Sequence, residues 1–401
     1  MGKKQQKWTK RRHAVITAVA KALAGRIILH KYGAQADRFQ SQGTRAYLVL
    51  YNHQTPADQF FVAMSFSGAV YYMATEDIFS KGLISSLLRF AVAPIPIVKQ
   101  TTDLKAVKTC LKVAKEGGTI AIAPEGNRTY SGRTEYMNPA IGGLAKKLGL
   151  PIALYRIEGG YGVQPRWSDG IRKGRMHAYV SRVIEPEEYA GLSADELFSE
   201  IRKGLFVDEA CPGGPFVSEH KAEYLERAIY VCPTCGLSAF ESSGSEIVCR
   251  TCGRAVRYGE DKRLTGKGFD FPFAYVGEWY EYQKAFVRGL DLAPYAKTPM
   301  FCDVADLYAV SLNKKKRLLK KDAPIRLFGN RVEIDADTTL RLPFSETQAA
   351  ALGRNKLNLY YDGQVYQFKG SKRFNALKYV NICYHCKNID RGNEDGEFLG
   401  L

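Results

Sequence analysis

The chain has 401 residues, enough for more than one core, and 58 Lys and Arg against 41 Asp and Glu give a formal net charge of +17. A hydrophobic share of 45% without any low-complexity tract excludes a disordered or fibrous chain. The positive excess suits nucleic acid, an anionic membrane surface or an acidic substrate. Residues 1–40 carry ten Lys/Arg and one acid, Asp37, so more than half of the excess lies in the first tenth of the chain. A second basic cluster runs from Lys314 to Arg317 and on to Lys320 and Lys321.

In chain order, the first predicted element is a helix over roughly residues 10–31 that sets Val15, Ile16, Val19, Leu23, Ile27 and Ile28 along one side and Lys21, Arg26 and Lys31 elsewhere. It reads either as a helix packed on its own domain or as an interfacial helix whose apolar side dips below lipid headgroups while its cations meet anionic lipid. Residues 1–40 are accordingly expected to form a basic, amphipathic, membrane-associating segment. The apolar stretches 14–29 and 82–98 are broken by Lys21 and Arg26, or by Arg89 and two prolines, so neither reads as membrane-spanning. No secretory leader is evident, and nine cysteines then point to a reducing compartment and metal ligation rather than disulfides. The expected location is cytoplasmic, peripheral on the inner face of the membrane.

From 41 to about 215, β-prone runs alternate with helical ones, and this predicts an α/β domain with a mostly parallel sheet flanked by helices. Leu48–Tyr51 is a short apolar strand that Asn52 ends, and Pro56, Ala57 and Asp58 predict the first turn of a helix. His53 therefore falls on the loop after a strand, with Asp58 within reach of its ring. Such sheets place chemistry on the loops that follow strand ends. The spacing alone carries little, because His385 and Asp390 repeat it inside CYHC with no strand before them.

Three further blocks accompany the first. APEGNRTYSG (123–132) follows a strand, and its glycines and Arg128 can offer N–H groups to an anion. APIPIVKQ (93–100) puts Lys99 at the end of another strand. GLPIALYRIEG (149–159) is a strand that opens with proline. Together the four blocks resemble those of the glycerolipid acyltransferases, the 1-acylglycerol-3-phosphate acyltransferase family, over about residues 10–200. The resemblance implies transfer of a fatty acyl chain from a thioester to the hydroxyl of a lysophospholipid, 1-acylglycerol 3-phosphate, giving phosphatidic acid. It implies His53 and Asp58 as a general-base pair, and Lys99, Glu125, Gly126 and Arg128 as the residues that bind substrate. Donor identity is left open among acyl-CoA, an acylated acyl carrier protein and an acyl phosphate. Two departures bear on the acceptor: Lys99 stands where the family usually has arginine, and Asn127 where many members have threonine. Lysine keeps the charge and loses the bidentate fork, which leaves another lipid or amino alcohol open as acceptor.

After residue 210 the composition changes. Cys232 and Cys235, then Cys249 and Cys252, form two C-x2-C pairs separated by thirteen residues, each followed by glycine. This is the spacing of a zinc ribbon, here over 225–260, with four thiolates closing a tetrahedral structural Zn²⁺ site. Cys383 and Cys386 read as ordinary thiols. Residues 265–401 read as an α+β accessory domain: an aromatic segment with one helix, then β-rich sequence in which Asp362-Gly363 marks a hairpin. A different class of function, a nucleic-acid-binding or scaffold protein built on the ribbon, is disfavoured because the basic charge clusters beside an amphipathic helix. The expected partners are a lysophospholipid, the acyl donor with or without its carrier protein, and an anionic membrane surface.

Overall fold

Five of the apolar runs between residues 48 and 158 pair as parallel strands in the computed structural model, which describes residues 7–79, 83–97, 103–311, 316–336, 338–393 and 396–398. The strands are β1 (Ala34–Ala36), β2 (Leu48–Tyr51), β3 (Val70–Thr75), β4 (Ile95–Ile97), β5 (Thr119–Ile122), β6 (Ile152–Glu158) and β7 (Met176–Ile184). They form one sheet in the order β1-β7-β6-β2-β5-β3-β4. β2 lies parallel between β5 and β6, with Leu48 opposite Ile120 on one side and Ile152 on the other. β7 turns back antiparallel to β6, and β1 runs parallel to β7 at the edge.

Every residue of β2 and β5 is buried, as expected of central strands covered on both faces. Side chains alternate between those faces. Leu48, Leu50, Ile120, Ile152 and Leu154 join a core with Cys110, Val113, Ile141, Ala145, Leu197 and Ile201 from the helices Leu104–Lys115, Ala140–Leu148 and Ala194–Leu205. Each such aliphatic side chain contributes about 1.5–3 kcal/mol on burial. Tyr155, next to Leu154, points the other way and meets Ser65 of the helix Asp58–Ser65 through a 2.8 Å hydroxyl contact. That helix therefore covers the opposite face.

The N-terminal helix spans Arg11–Tyr32, 22 residues, with a π-helical turn at Lys21–Gly25. It packs through His13, Gly25 and Tyr32, which are buried; a Cβ on Gly25 would lie 2.6 Å from the Met64 sulfur. Val15, Val19, Leu23 and Ile27, four residues apart in series, stay 51–72% exposed. One side of the helix thus packs on its own domain, and an apolar stripe faces outward. The helix Leu83–Ala91 lies beside it, with the Arg12 guanidinium 4.1 Å over the Phe90 ring, and leaves Leu83, Leu87 and Phe90 exposed. By length and composition the N-terminal helix is long and apolar enough to cross a membrane. This differs from the sequence reading: Lys21 and Arg26 interrupt the apolar run without making the helix too polar on average.

The chain divides into two compact units that interleave along the sequence. The first comprises Met1–Gly126, Met137–Gly160 and Gly174–Val207; the second comprises Asn127–Tyr136, Tyr161–Lys173 and Asp208–Leu401. In the second, the hairpin β8 (Val231–Cys232) and β9 (Gly236–Leu237) adjoins an antiparallel sheet of β10 (Phe240–Ser243), β11 (Glu246–Cys249), β12 (Ala255–Tyr258) and β13 (Leu264–Gly266). The aromatic segment forms the helix Val276–Arg288, with Trp279 and Tyr280 fully buried. Gln283 in this helix bonds the backbone N–H groups of Tyr230 and Val231, and the Trp279 indole donates to the Val231 carbonyl.

The C-terminal stretch forms a seven-stranded antiparallel sheet of β14 (Phe301–Val310), β15 (Arg317–Leu327), β16 (Arg331–Asp335), β17 (Thr339–Pro343), β18 (Gln348–Leu352), β19 (Lys356–Tyr361) and β20 (Gln364–Gly370), in the order β17-β16-β15-β14-β20-β19-β18. The Asp362-Gly363 turn joins β19 to β20 with φ of +47° and +67°, the left-handed pair that a two-residue hairpin requires. The helix Leu377–Asp390 is buried along most of its length. His385 lies within it and meets the Leu290 carbonyl through Nε2 at 2.9 Å, so its surroundings differ entirely from those of His53.

Candidate active site

β2 ends at Tyr51, and Asn52 extends its pairing by side chain. Asn52 Nδ2 donates to the Ile157 carbonyl at 2.8 Å and Oδ1 accepts from the Ile157 N–H at 2.7 Å. The fully buried amide thus copies a strand's donor and acceptor and locks the exit of β2 to β6. His53 follows immediately, and its backbone N–H donates to Glu125 Oε1 at 3.0 Å. The helix begins at Asp58, two residues later than Pro56 suggested, because residues 54–57 are taken up by a turn around the Asp58 carboxylate.

That carboxylate is completely buried. It accepts from the N–H groups of Gln54 (2.6 Å) and Thr55 (2.9 Å), from the Thr55 hydroxyl (2.6 Å) and from His53 Nδ1 (2.7 Å). A buried carboxylate is tolerable only with such a set of donors, and an ionised acceptor of this kind holds the proton of His53 on Nδ1. The other ring nitrogen, Nε2, is then the one available to a reactant. The His53 side chain is 23% exposed, so the ring is reachable from solvent while its partner is not. Burial and the nearby Asp58 charge push the Tyr51 phenol far above its ordinary pKa, so the ring that meets His53 edge-on at 6.1 Å stays neutral.

Glu125 and Gly126 follow β5, the strand beside β2. Gly126 has φ +69°, a conformation that favours glycine, and its N–H closes a turn onto the Ala123 carbonyl at 2.9 Å. Glu125 is buried and reaches the His53 loop, so the structure brings His53, Asp58, Glu125 and Gly126 together at the C-terminal ends of adjacent parallel strands. Arg128 belongs to the second unit; its side chain is buried and its carbonyl accepts from Arg166 Nη1 at 2.8 Å. Lys99 lies outside the described residues. Sequence reasoning missed Asn52 and Gly160. A Cβ on Gly160 would lie 2.6 Å from the Gln54 Cβ and 3.1 Å from Thr55 Cγ2, so glycine there lets β6's exit pass against the His53 loop. The polar Asn52 at the end of an apolar strand was the only local signal of the first, and nothing local signals the second.

Residues 34–155 match the Acyltransferase family model. Over those residues the chain is similar to that family. Two curated relatives are the chloroplastic 1-acyl-sn-glycerol-3-phosphate acyltransferases BAT2 of Brassica napus and LPAT1 of Arabidopsis thaliana, each 26% identical over 155 residues, 38% of this chain. The chain spans less than half the length of these relatives, 44% and 42%. The 1-acyl-sn-glycerophosphate (LPA) acyltransferase PlsC from Thermotoga maritima superposes with a TM-score of 0.38 at 15% identity, covering 48% of this chain and 91% of that structure.

The second unit holds the four cysteines of the ribbon spacing. Cys232, Cys235, Cys249 and Cys252 have sulfurs all within 4.8 Å of one another. A tetrahedral site with Zn–S bonds of about 2.3 Å needs sulfur–sulfur edges of about 3.8 Å, and Cys232 Sγ lies 3.9 Å from Cys252 Sγ. The Thr234 N–H points at Cys232 Sγ at 3.5 Å, the donor arrangement of a metal-binding knuckle. Burial pushes the Cys249 thiol up, but the N–H groups of Cys252 and Thr251 outweigh it and bring it down to about 7. Burial and neighbouring thiols raise Cys232 and Cys235 instead. A cation among the four sulfurs would stabilise the thiolate forms, and the donor set fits a soft tetrahedral metal.

Proposed function

We propose that this chain is an O-acyltransferase that moves a fatty acyl group from a thioester to the free hydroxyl of a lysophospholipid, 1-acylglycerol 3-phosphate, and forms phosphatidic acid. The observation that carries the reading is the His53–Asp58 pair: a solvent-reachable imidazole at the end of a central strand, held at Nδ1 by a fully buried carboxylate 2.7 Å away. The match of residues 34–155 to the Acyltransferase family and the names of the curated relatives support the reaction class.

An alcohol is a poor nucleophile near neutrality. His53 Nε2 takes the acceptor's hydroxyl proton as its oxygen attacks the thioester carbonyl, and Asp58 stabilises the imidazolium that results. The tetrahedral intermediate collapses with loss of the thiolate, which recovers the proton from the imidazolium. The products are the new ester and a free thiol, with no covalent acyl-enzyme. A positioned general base of this kind contributes about 10²–10⁴ in rate. Glu125 braces the His53 backbone, a positioning role, while Gly126, Arg128 and Lys99 supply the turn and the cations for the acceptor's phosphate. Acyl-CoA or acylated acyl carrier protein would supply the acyl group as a thioester; were the donor an acyl phosphate, phosphate would leave in place of the thiolate.

We assign the reaction to an anionic membrane surface, on the cytoplasmic face, a reading that the exposed apolar stripe of the N-terminal helix and its basic flank support. The four-cysteine site is assigned a structural Zn²⁺. The test is a panel of lysophosphatidate and other lipid alcohols offered to the purified full chain on anionic vesicles. Phosphatidate as the main product supports the reading. Product from a different alcohol keeps the chemistry and moves the acceptor, as Lys99 in place of arginine allows. If no alcohol is acylated, the reading fails.

A further inference from the structure

Two segments that follow catalytic-sheet strands are counted with the second unit: 127–136, after β5, and 161–173, after β6. β5 and β6 are the two neighbours of β2, so the chain continues from both sides of the His53 strand into that unit. Within the second unit the two segments are bonded to each other and to the C-terminal sheet. Arg166 is 1% exposed. Its Nη1 donates to the Arg128 carbonyl at 2.8 Å, its Nη2 to the Ala351 carbonyl on β18 at 2.9 Å, and its guanidinium lies 4.0 Å over the Tyr130 ring.

The neighbouring contacts repeat the pattern. The Tyr161 hydroxyl donates to the Tyr130 carbonyl at 3.2 Å, and Trp167 Nε1 donates to that hydroxyl at 3.3 Å. Asp169 is held by Arg227 at 2.7 Å and by Arg354, just after β18, at 3.3 Å. Tyr130 also stacks on Tyr280 of the helix Val276–Arg288, with ring centroids 6.5 Å apart. Within the second unit, the Arg128 carbonyl and the Tyr130 that follows are therefore held by Arg166, Tyr161 and Tyr280.

We propose that Arg166 is a positioning residue for Arg128, and that through it the C-terminal sheet sets the grip on the acceptor's anionic headgroup. The physical ground is that a guanidinium bridging two buried carbonyls is rigid and leaves neither acceptor unpaired. This inference rests on the acyltransferase reading, in which Arg128 binds the phosphate. It gives the accessory region a part in acceptor recognition without placing any of its own atoms on substrate.

The test compares the full chain with R166K, R166M and Y161F in two readouts, backbone hydrogen exchange and steady-state kinetics with lysophosphatidate and an acyl thioester. Exchange is expected to quicken in 127–136 while the four-cysteine region keeps its protection. The acceptor KM is expected to rise about tenfold, the scale of a lost charge-assisted hydrogen bond, with the thioester KM unchanged. Should R166M fail to fold, R166K and Y161F carry the comparison. Unaltered exchange in 127–136, or donor and acceptor KM rising together, overturns the proposal. A wild-type chain that acylates no lipid alcohol would sink the acyltransferase reading and the acceptor half of this proposal with it. The exchange comparison would still decide whether Arg166 anchors the segment.

Discussion

At the scale of single residues, the His53–Asp58 pair was legible because the residues that make it lie within one turn of chain. A strand, a loop histidine and a helix-starting aspartate can be read locally, and the buried carboxylate with its Gln54 and Thr55 donors completes the same local turn. Replacing Asp58 by Asn should keep the fold but put an amide donor against N–H groups. It should cost roughly a thousandfold or more in kcat, the penalty of a mispositioned base and wrong tautomer, along with about 1–3 kcal/mol of stability from unpaired buried groups; kinetics beside thermal unfolding would show both. Asn52 and Gly160 were opaque because Asn52 meets a residue over a hundred positions away and Gly160 a loop just as far along the chain. Gly160→Ala should move the His53 loop and lower kcat with little effect on thioester binding. A variant with wild-type kcat would show that the loop has slack.

At the scale of elements, hydrophobic alternation exposed the parallel sheet, the aromatic helix and the Asp362-Gly363 hairpin. It did not reveal that β7 reverses direction or that the three-residue β1 pairs with it, since edge pairing depends on register across distant chain. The N-terminal helix was legible in outline, and only the structure shows which side stays exposed. Leu23→Glu together with Ile27→Glu should weaken binding to anionic vesicles at least tenfold, because each buried aliphatic side chain contributes about 1.5–3 kcal/mol; sedimentation with vesicles at two salt concentrations measures it. Unchanged binding would assign the membrane contact elsewhere. In the C-terminal sheet, burial raises the Glu333 pKa but Arg331, Arg341 and Arg326 outweigh it and hold the carboxyl below its ordinary value. A depressed carboxyl contributes stability above its unfolded pKa and loses it as pH falls through the folded one. Acid unfolding should therefore begin below about pH 4.5 in the wild type, and Glu333→Gln should flatten that dependence.

At the scale of the whole chain, the ribbon spacing was readable because C-x2-C pairs impose their own local geometry, whereas the interleaving of the two compact units was not. Segments 127–136 and 161–173 lie between strands of the first unit in sequence and pack with the second through side chains such as Arg166 and Asp169, long-range contacts without a local pattern. One Zn²⁺ per chain is expected by elemental analysis. Cys249→Ser should release it and lower the unfolding temperature, since metal binding in so short a ribbon is part of its folding free energy; full stability without metal would reduce the cluster to four ordinary thiols. The proposed reaction turns on His53 as the base. The most direct measurement is single-turnover acyl transfer to lysophosphatidate on anionic vesicles by the intact chain and by His53→Ala, with the thioester donor saturating. A fall of about a hundredfold or more in the chemical step is expected, with the fold and vesicle binding intact. A variant that transfers at the wild-type rate would contradict it.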